Sequence, residues 1–302
     1  MKKEGNPMVI DDAGGLVFRP PSEARSFILR VTIGCSHNAC TFCDMYKLSK
    51  FRIRSLEEID GIIERGAAAM PFVRRIFLAD GDALVLPTES LLHILKKCYD
   101  TFPAITRIGA YATPNDLNRK SLDELKQLKA AGLDILYMGI ESGDDEVLRR
   151  VHKGTTAERT ISAGKKALAA GMKLSTMIIL GLGGQELTHQ HALHTAEVVS
   201  AINPTMLSAL TLLIPREVPL YQDMLNGKFT PLTSRGFLME LKEILQHTHM
   251  TNPCIFRSNH VSNLVPVGGN LPDDKDAMIA TLDAYIPRED DTIPMTNSNG
   301  PF

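Results

Sequence analysis

At 302 residues, 44% of them hydrophobic, the chain is long enough for one large α/β domain plus a small appendage and can bury a sizeable core. Its 33 basic and 35 acidic residues leave a net charge of −2 with no charge block, so electrostatics announces no nucleic-acid partner. The start of the chain lacks the apolar core of a secretory signal, no apolar run approaches the roughly 20 residues of a membrane helix, and three of the five cysteines are clustered. These features predict a cytoplasmic protein in a reducing compartment rather than a disulfide framework or a membrane protein.

Residues 1–24 read as a leader punctuated by Gly14-Gly15 and Pro20-Pro21, expected to cross the base of the domain or to be partly disordered. A strand is predicted over 26–33, and the cysteine loop follows, then the basic residues Lys47, Lys50, Arg52 and Arg54. Ser55 and Glu58 form a capping box that opens a helix running to about 70, where Pro71 stops it. A strand at 75–79 ends in Asp80-Gly81-Asp82, and Thr88 is expected to cap a helix through 101. A strand at 107–112 and a helix at 121–131 follow, the helix ended by Gly132. The strand at 135–140 leads into Glu141-Ser142-Gly143; a helix at 156–170 ends at Gly171. The strand at 173–180 leads into Gly181-Leu182-Gly183-Gly184, before a helix at 188–202 and a strand at 205–213.

The strands are near-continuous apolar runs, which marks a parallel sheet covered by helices on both faces. Six strand–helix units predict an α/β fold of the open or partial (β/α) barrel kind over 25–215. Residues 216–302 form a C-terminal extension that closes or flanks it. The extension is expected to hold helices at 233–249 and 273–285, and a loose polar end after Pro287. In parallel α/β folds active sites form at the carboxyl ends of strands. The polar and Gly-rich clusters all fall there.

Cys35, Cys40 and Cys43 lie within nine residues, spaced four then two, on a loop leaving a strand. Thiolates are the soft ligands of iron–sulfur clusters, zinc and copper(I). Three of them are one short for a cubane of four irons, which leaves one iron open to chemistry. The rival reading is a structural zinc site in a non-catalytic binding or scaffold module, with a fourth ligand from His37, Cys98 or Cys254. Asp82 and Glu141 are carboxylates at strand ends, suited to an ammonium and to hydroxyls. Gly181 would let backbone approach a flat ring. In the extension, Arg257, Asn259 and His260 are candidate substrate-binding residues. His189, His191 and His194 are expected to face solvent, and Cys98 to be buried.

On these residues the sequence resembles the radical S-adenosylmethionine (SAM) superfamily, specifically its Elp3/MiaB/coproporphyrinogen-dehydrogenase branch. The resemblance covers about 25–215 and implies a partial (β/α)6 barrel whose three cysteines hold a [4Fe–4S] cluster. The superfamily's usual cysteine spacing is three then two, so the loop here carries one extra residue. Phe42 stands at the aromatic position before the last cysteine, where a ring packs near the cofactor. Asp80-Gly81-Asp82 stands where the superfamily has Gly-Gly-Glu, which holds the SAM amino group, with Asp82 in place of the glutamate. The resemblance places Glu141 on the ribose, Lys153 on the SAM carboxylate and Gly181 by the adenine. It implies an enzyme that reductively cleaves SAM to a 5′-deoxyadenosyl radical and abstracts hydrogen from a substrate. An external one-electron reductant of flavodoxin or ferredoxin type would feed it.

Overall fold

The computed structural model describes residues 17–292. The chain forms two compact units. The first takes residues up to 38, 45–138 and 166–174; the second takes 39–44, 139–165 and residues from 175 on. The expectations for the leader's first 16 residues and for the last ten fall outside the described residues.

The first unit carries β1 (Phe27–Arg30), β2 (Thr32–Ile33), β3 (Arg52–Ile53), α1 (Leu56–Ala69), β4 (Arg75–Ala79), α2 (Thr88–Thr101), β5 (Arg107–Ala112), α3 (Pro114–Arg119), α4 (Leu122–Ala130) and most of β6 (Leu133–Glu141). Its sheet runs β1-β4-β5-β6 with parallel pairing throughout. All four residues of β1 are buried, as a strand covered on both faces requires. Phe27, Phe77 and Phe102 are fully buried in this core. The strand predicted over 26–33 is broken at Val31: β2 leaves the main sheet and pairs antiparallel with β3.

Helix starts follow local chemistry. In α1, Glu58 N–H donates to Ser55 Oγ at 3.1 Å and Ser55 N–H donates to the Glu58 carboxylate at 2.9 Å. Ser121 and Glu124 repeat the device at α4. Thr88 does not cap α2; Pro87 holds the cap position, and the Thr88 hydroxyl donates to Glu124 at 2.7 Å. Proline fixes the φ of the entry, and the freed hydroxyl reaches a neighbouring helix instead.

The second unit holds α5 (Asp145–Arg150), α6 (Ala157–Ala169, its last turn in the first unit), β7 (Lys173–Leu180, its first two residues also there), α7 (Gly184–Ile202), β8 (Met206–Thr211), α8 (Pro219–Leu225), α9 (Ser234–His247), β9 (Cys254–Ser258), β10 (Val267–Leu271) and α10 (Lys275–Tyr285). Strands β7, β8 and β9 are parallel neighbours, and β10 closes the edge antiparallel to β9. The extension thus adds strands to the sheet that β7 and β8 begin. Helix α7 starts at Gly184, a full turn before the predicted 188, and the short helices α3 and α8 were not anticipated. Among the described residues, no helix is long and apolar enough to cross a membrane.

Candidate cofactor site

In the first unit the cysteine loop is braced from below. Arg30, at the end of β1, grips Asp80, just past β4, through Nη2 at 2.8 Å and Nε at 3.1 Å to both carboxylate oxygens. Both side chains are essentially out of solvent, 3% and 0% exposed. Asp80 also accepts the Gly34 N–H at 3.0 Å, and its own N–H donates to Thr32 Oγ1 at 3.1 Å. The residue in the position of the superfamily's first glycine therefore fixes the backbone one step before Cys35. Gly81 has the close approach its lack of Cβ permits: a Cβ there would lie 2.8 Å from the Tyr46 ring and 3.0 Å from Cys35 Cβ. Beyond the turn, Lys47 Nζ donates to the Asn38 carbonyl at 2.8 Å and Asn38 Nδ2 to the Tyr46 carbonyl at 2.9 Å.

Asp82 is fully buried. Its Oδ2 accepts the Ser36 hydroxyl from the cysteine loop, and the carboxyl also hydrogen-bonds to that of Asp116. Burial, with the Asp116 carboxyl beside it, pushes the Asp82 carboxyl well above the usual range. A cation delivered to this pair of carboxyls would offset both the burial and the like-charge repulsion.

The second unit carries the rest of the loop, with Cys40, Phe42 and Cys43 half-buried. Thr41 is its anchor there: its N–H donates to the Val151 carbonyl and its carbonyl accepts the Leu220 N–H, both at 3.0 Å. Among the described residues, no three His, Cys, Asp or Glu side chains already stand together as a metal centre. Glu141 ends β6 in a left-handed conformation, φ 64°. Its Oε1 pairs with Lys153 Nζ at 2.8 Å, both side chains about 15% exposed. The two residues assigned by resemblance to different parts of SAM therefore also neutralise one another. The Asp144 carboxylate caps α5 at Val147 N–H and takes hydrogen bonds from Gln190 and His194, a structural role rather than a ligand's.

Gly181 lies at the end of β7 with φ 79°, and a Cβ there would strike the Phe237 ring at 2.3 Å. Its N–H donates to Glu240 on α9 at 2.6 Å. The sequence reading missed Glu240, and it erred on His191. That ring is fully buried, bonded to Ser142 Oγ at 2.8 Å, whereas His189 and His194 are exposed as expected. The cue was available: Leu187, Ala192, Thr195 and Ala196 mark a broad buried stripe on α7 that includes position 191.

The extension's candidates do not form one cluster. Arg257 spends its guanidinium on the Phe256 and Gly269 carbonyls of its own hairpin, and Asn259 is exposed. His260 is half-buried, bonded to Ser262, with its pKa lowered by burial. Asn263 is a staple at the end of β8, bonded to Thr211 and Ala209. Cys98 and Cys254 are buried and their thiols resist ionisation, Cys254 being pushed up to about 12, and among the described residues neither belongs to a group of side chains placed to hold a metal.

Residues 29–196 match the Radical SAM superfamily. The heme chaperone HemW of Bacillus subtilis (strain 168) is 24% identical over 207 residues, which is 64% of this chain and 52% of that protein. The chain thus spans about half the length of this curated relative. Coproporphyrinogen III oxidase from Escherichia coli, a radical SAM enzyme, superposes with a TM-score of 0.55 at 21% identity, covering 72% of this chain and 50% of that one. The methyltransferase TsrM from Kitasatospora setae, solved with cobalamin and a [4Fe–4S] cluster bound, gives 0.54 at 17% identity, covering 66% and 39%. These likenesses show the fold: an α/β, mainly parallel architecture of the radical SAM barrel type.

Proposed function

Because the chain belongs to the radical SAM superfamily, whose cofactors are a [4Fe–4S] cluster and SAM, we propose that it is a SAM-cleaving radical enzyme using Cys35, Cys40 and Cys43 as cluster ligands. When bound, the two cofactors supply reductive cleavage of a sulfonium and a carbon-centred radical that takes hydrogen from a substrate. The chain's own part is to bind, orient and exclude water. Asp82 receives the SAM ammonium, with Ser36 holding Oδ2 in place. Glu141 meets the ribose, Lys153 exchanges part of its pairing with Glu141 for the SAM carboxylate, Gly181 lies against the adenine, and Phe42 packs beside the cofactor. An external one-electron donor of flavodoxin or ferredoxin type reduces the cluster, and the protein works in the cytoplasm.

The single observation that carries this reading is Asp82. Two carboxyls buried against each other favour a cation beside them, and one of this pair is the carboxyl that the cysteine loop itself touches. The test is anaerobic reconstitution. The wild-type chain should take up about four irons and four sulfides and release 5′-deoxyadenosine from SAM when reduced. Cys40→Ala should keep the fold and lose that product. Undiminished product from Cys40→Ala would refute the ligand assignment.

A further inference from the structure

Glu240 lies on α9, outside the 29–196 segment that matches the superfamily, yet it is built into the Gly181 turn. Its side chain is fully buried. One carboxylate oxygen accepts the Gly181 N–H at 2.6 Å and the other accepts the Thr188 hydroxyl at 2.5 Å. His191 Nε2 stands 3.6 Å away, buried and without a hydrogen bond. The other ring nitrogen is bonded to Ser142 Oγ, which already accepts the Asp144 N–H at 3.0 Å. The Ser142–His191 pair, joining the turn after β6 to α7, thus lies beside the Glu240 bonds that join α9 to the end of β7. The turns these contacts hold are those carrying Glu141 and Gly181.

Burying a carboxylate is expensive, and an apolar residue would pack α9 against α7 at lower cost. Phe237, one turn earlier on α9, already supplies that packing directly over Gly181. The acceptor that Glu240 offers to the Gly181 N–H is what an apolar side chain could not. We propose that Glu240, backed by His191, is a positioning residue that fixes the Gly181 backbone as a flat platform for SAM, so that the C-terminal extension completes the cofactor site. This rests on the SAM-binding reading above. It assigns the extension a task that the matching segment alone does not perform.

The test compares full-length Glu240→Ala, Glu240→Leu and Glu240→Gln with wild type. Glutamine keeps an acceptor for the Gly181 N–H; leucine fills the space without one and serves if the alanine variant does not fold. In the protein without cofactors, amide exchange over 181–187 should quicken in Glu240→Leu and stay near wild type in Glu240→Gln. After reconstitution, KM for SAM should rise about tenfold in Glu240→Leu, the scale of one lost hydrogen bond, with kcat and iron content little changed. Glu240→Gln should restore KM. Wild-type exchange and KM in Glu240→Leu overturn the proposal while leaving the SAM reading intact. So does a fall in iron content or thermal stability alone, with KM unmoved, because that is packing. A wild-type chain that neither binds nor cleaves SAM overturns both.

Discussion

Removing the Asp80 carboxylate should strongly destabilise the first unit. In Asp80→Ala the Arg30 guanidinium, 3% exposed, loses both arms of its bidentate partner, and the Gly34 N–H loses its acceptor. Removing one member of a buried ion pair costs about 3 to 5 kcal/mol, and the loss of the acceptor for the Gly34 amide adds about 1 kcal/mol. Against the 5 to 15 kcal/mol that holds a typical domain, that is a large share. The assay is urea denaturation of the cofactor-free protein at pH 7, read by circular dichroism. Asp80→Ala should lower the unfolding free energy by about 4 kcal/mol or more. Arg30→Met/Asp80→Leu should recover most of the loss, since an apolar pair of similar volume removes both charges together. The recovered double variant should still load less iron, because Gly34 no longer has the acceptor that sets the backbone before Cys35. A loss under about 1 kcal/mol in Asp80→Ala would mean the pair behaves as a solvated surface bridge, and the bracing argument would fail.

Three further outcomes follow from named contacts. Gly81→Ala drives a methyl group into Tyr46 and Cys35 Cβ, so iron per chain after reconstitution should fall and stability should drop by about 1 to 3 kcal/mol; unchanged iron content would contradict the close approach. Glu141→Gln should raise the dissociation constant for SAM about tenfold with iron content intact, measured by equilibrium binding. At α4, hydrogen bonds from the Ser121 N–H and Thr88 hold the Glu124 carboxyl down at about 2, from 4.5. A depressed carboxylate stabilises above its unfolded pKa and loses that contribution as pH falls through its folded one. Glu124→Gln should therefore cost about 0.5 to 1 kcal/mol at pH 7, and the gap to wild type should shrink between pH 4.5 and pH 2; a gap constant with pH would sink the assignment.

The fold was legible where local chemistry and burial agree. Ser55 and Glu58 announce α1 because both halves of the cap lie within four residues. The apolar runs at β1, β4 and β7 announce a covered parallel sheet because each strand's two faces are buried. The clusters after β4, β6 and β7 announce a site because chain direction in such a sheet puts them at carboxyl ends. What stayed hidden depends on partners distant in sequence. Asp80 reads as a turn residue until Arg30, 50 positions away, is found beneath it. His191 reads as one of three polar histidines until Ser142 and Glu240 are found on either side of it. Glu240 carries no local mark at all, being one acid on an amphipathic helix, and only the packing of α9 on the Gly181 turn reveals its use. The break of the first strand at Val31 was missed because β2 pairs with β3, whose two exposed residues carry no strand pattern.

The central claim is that three cysteine thiolates hold four irons and leave one of them for SAM. Electron paramagnetic resonance of the anaerobically reconstituted, chemically reduced protein tests it most directly, recorded before and after adding SAM. The account predicts the signal of one reduced cubane per chain that changes shape when SAM arrives, and that disappears in Cys40→Ala. A folded wild-type protein that carries zinc and no iron, or an iron–sulfur signal indifferent to SAM, would contradict it.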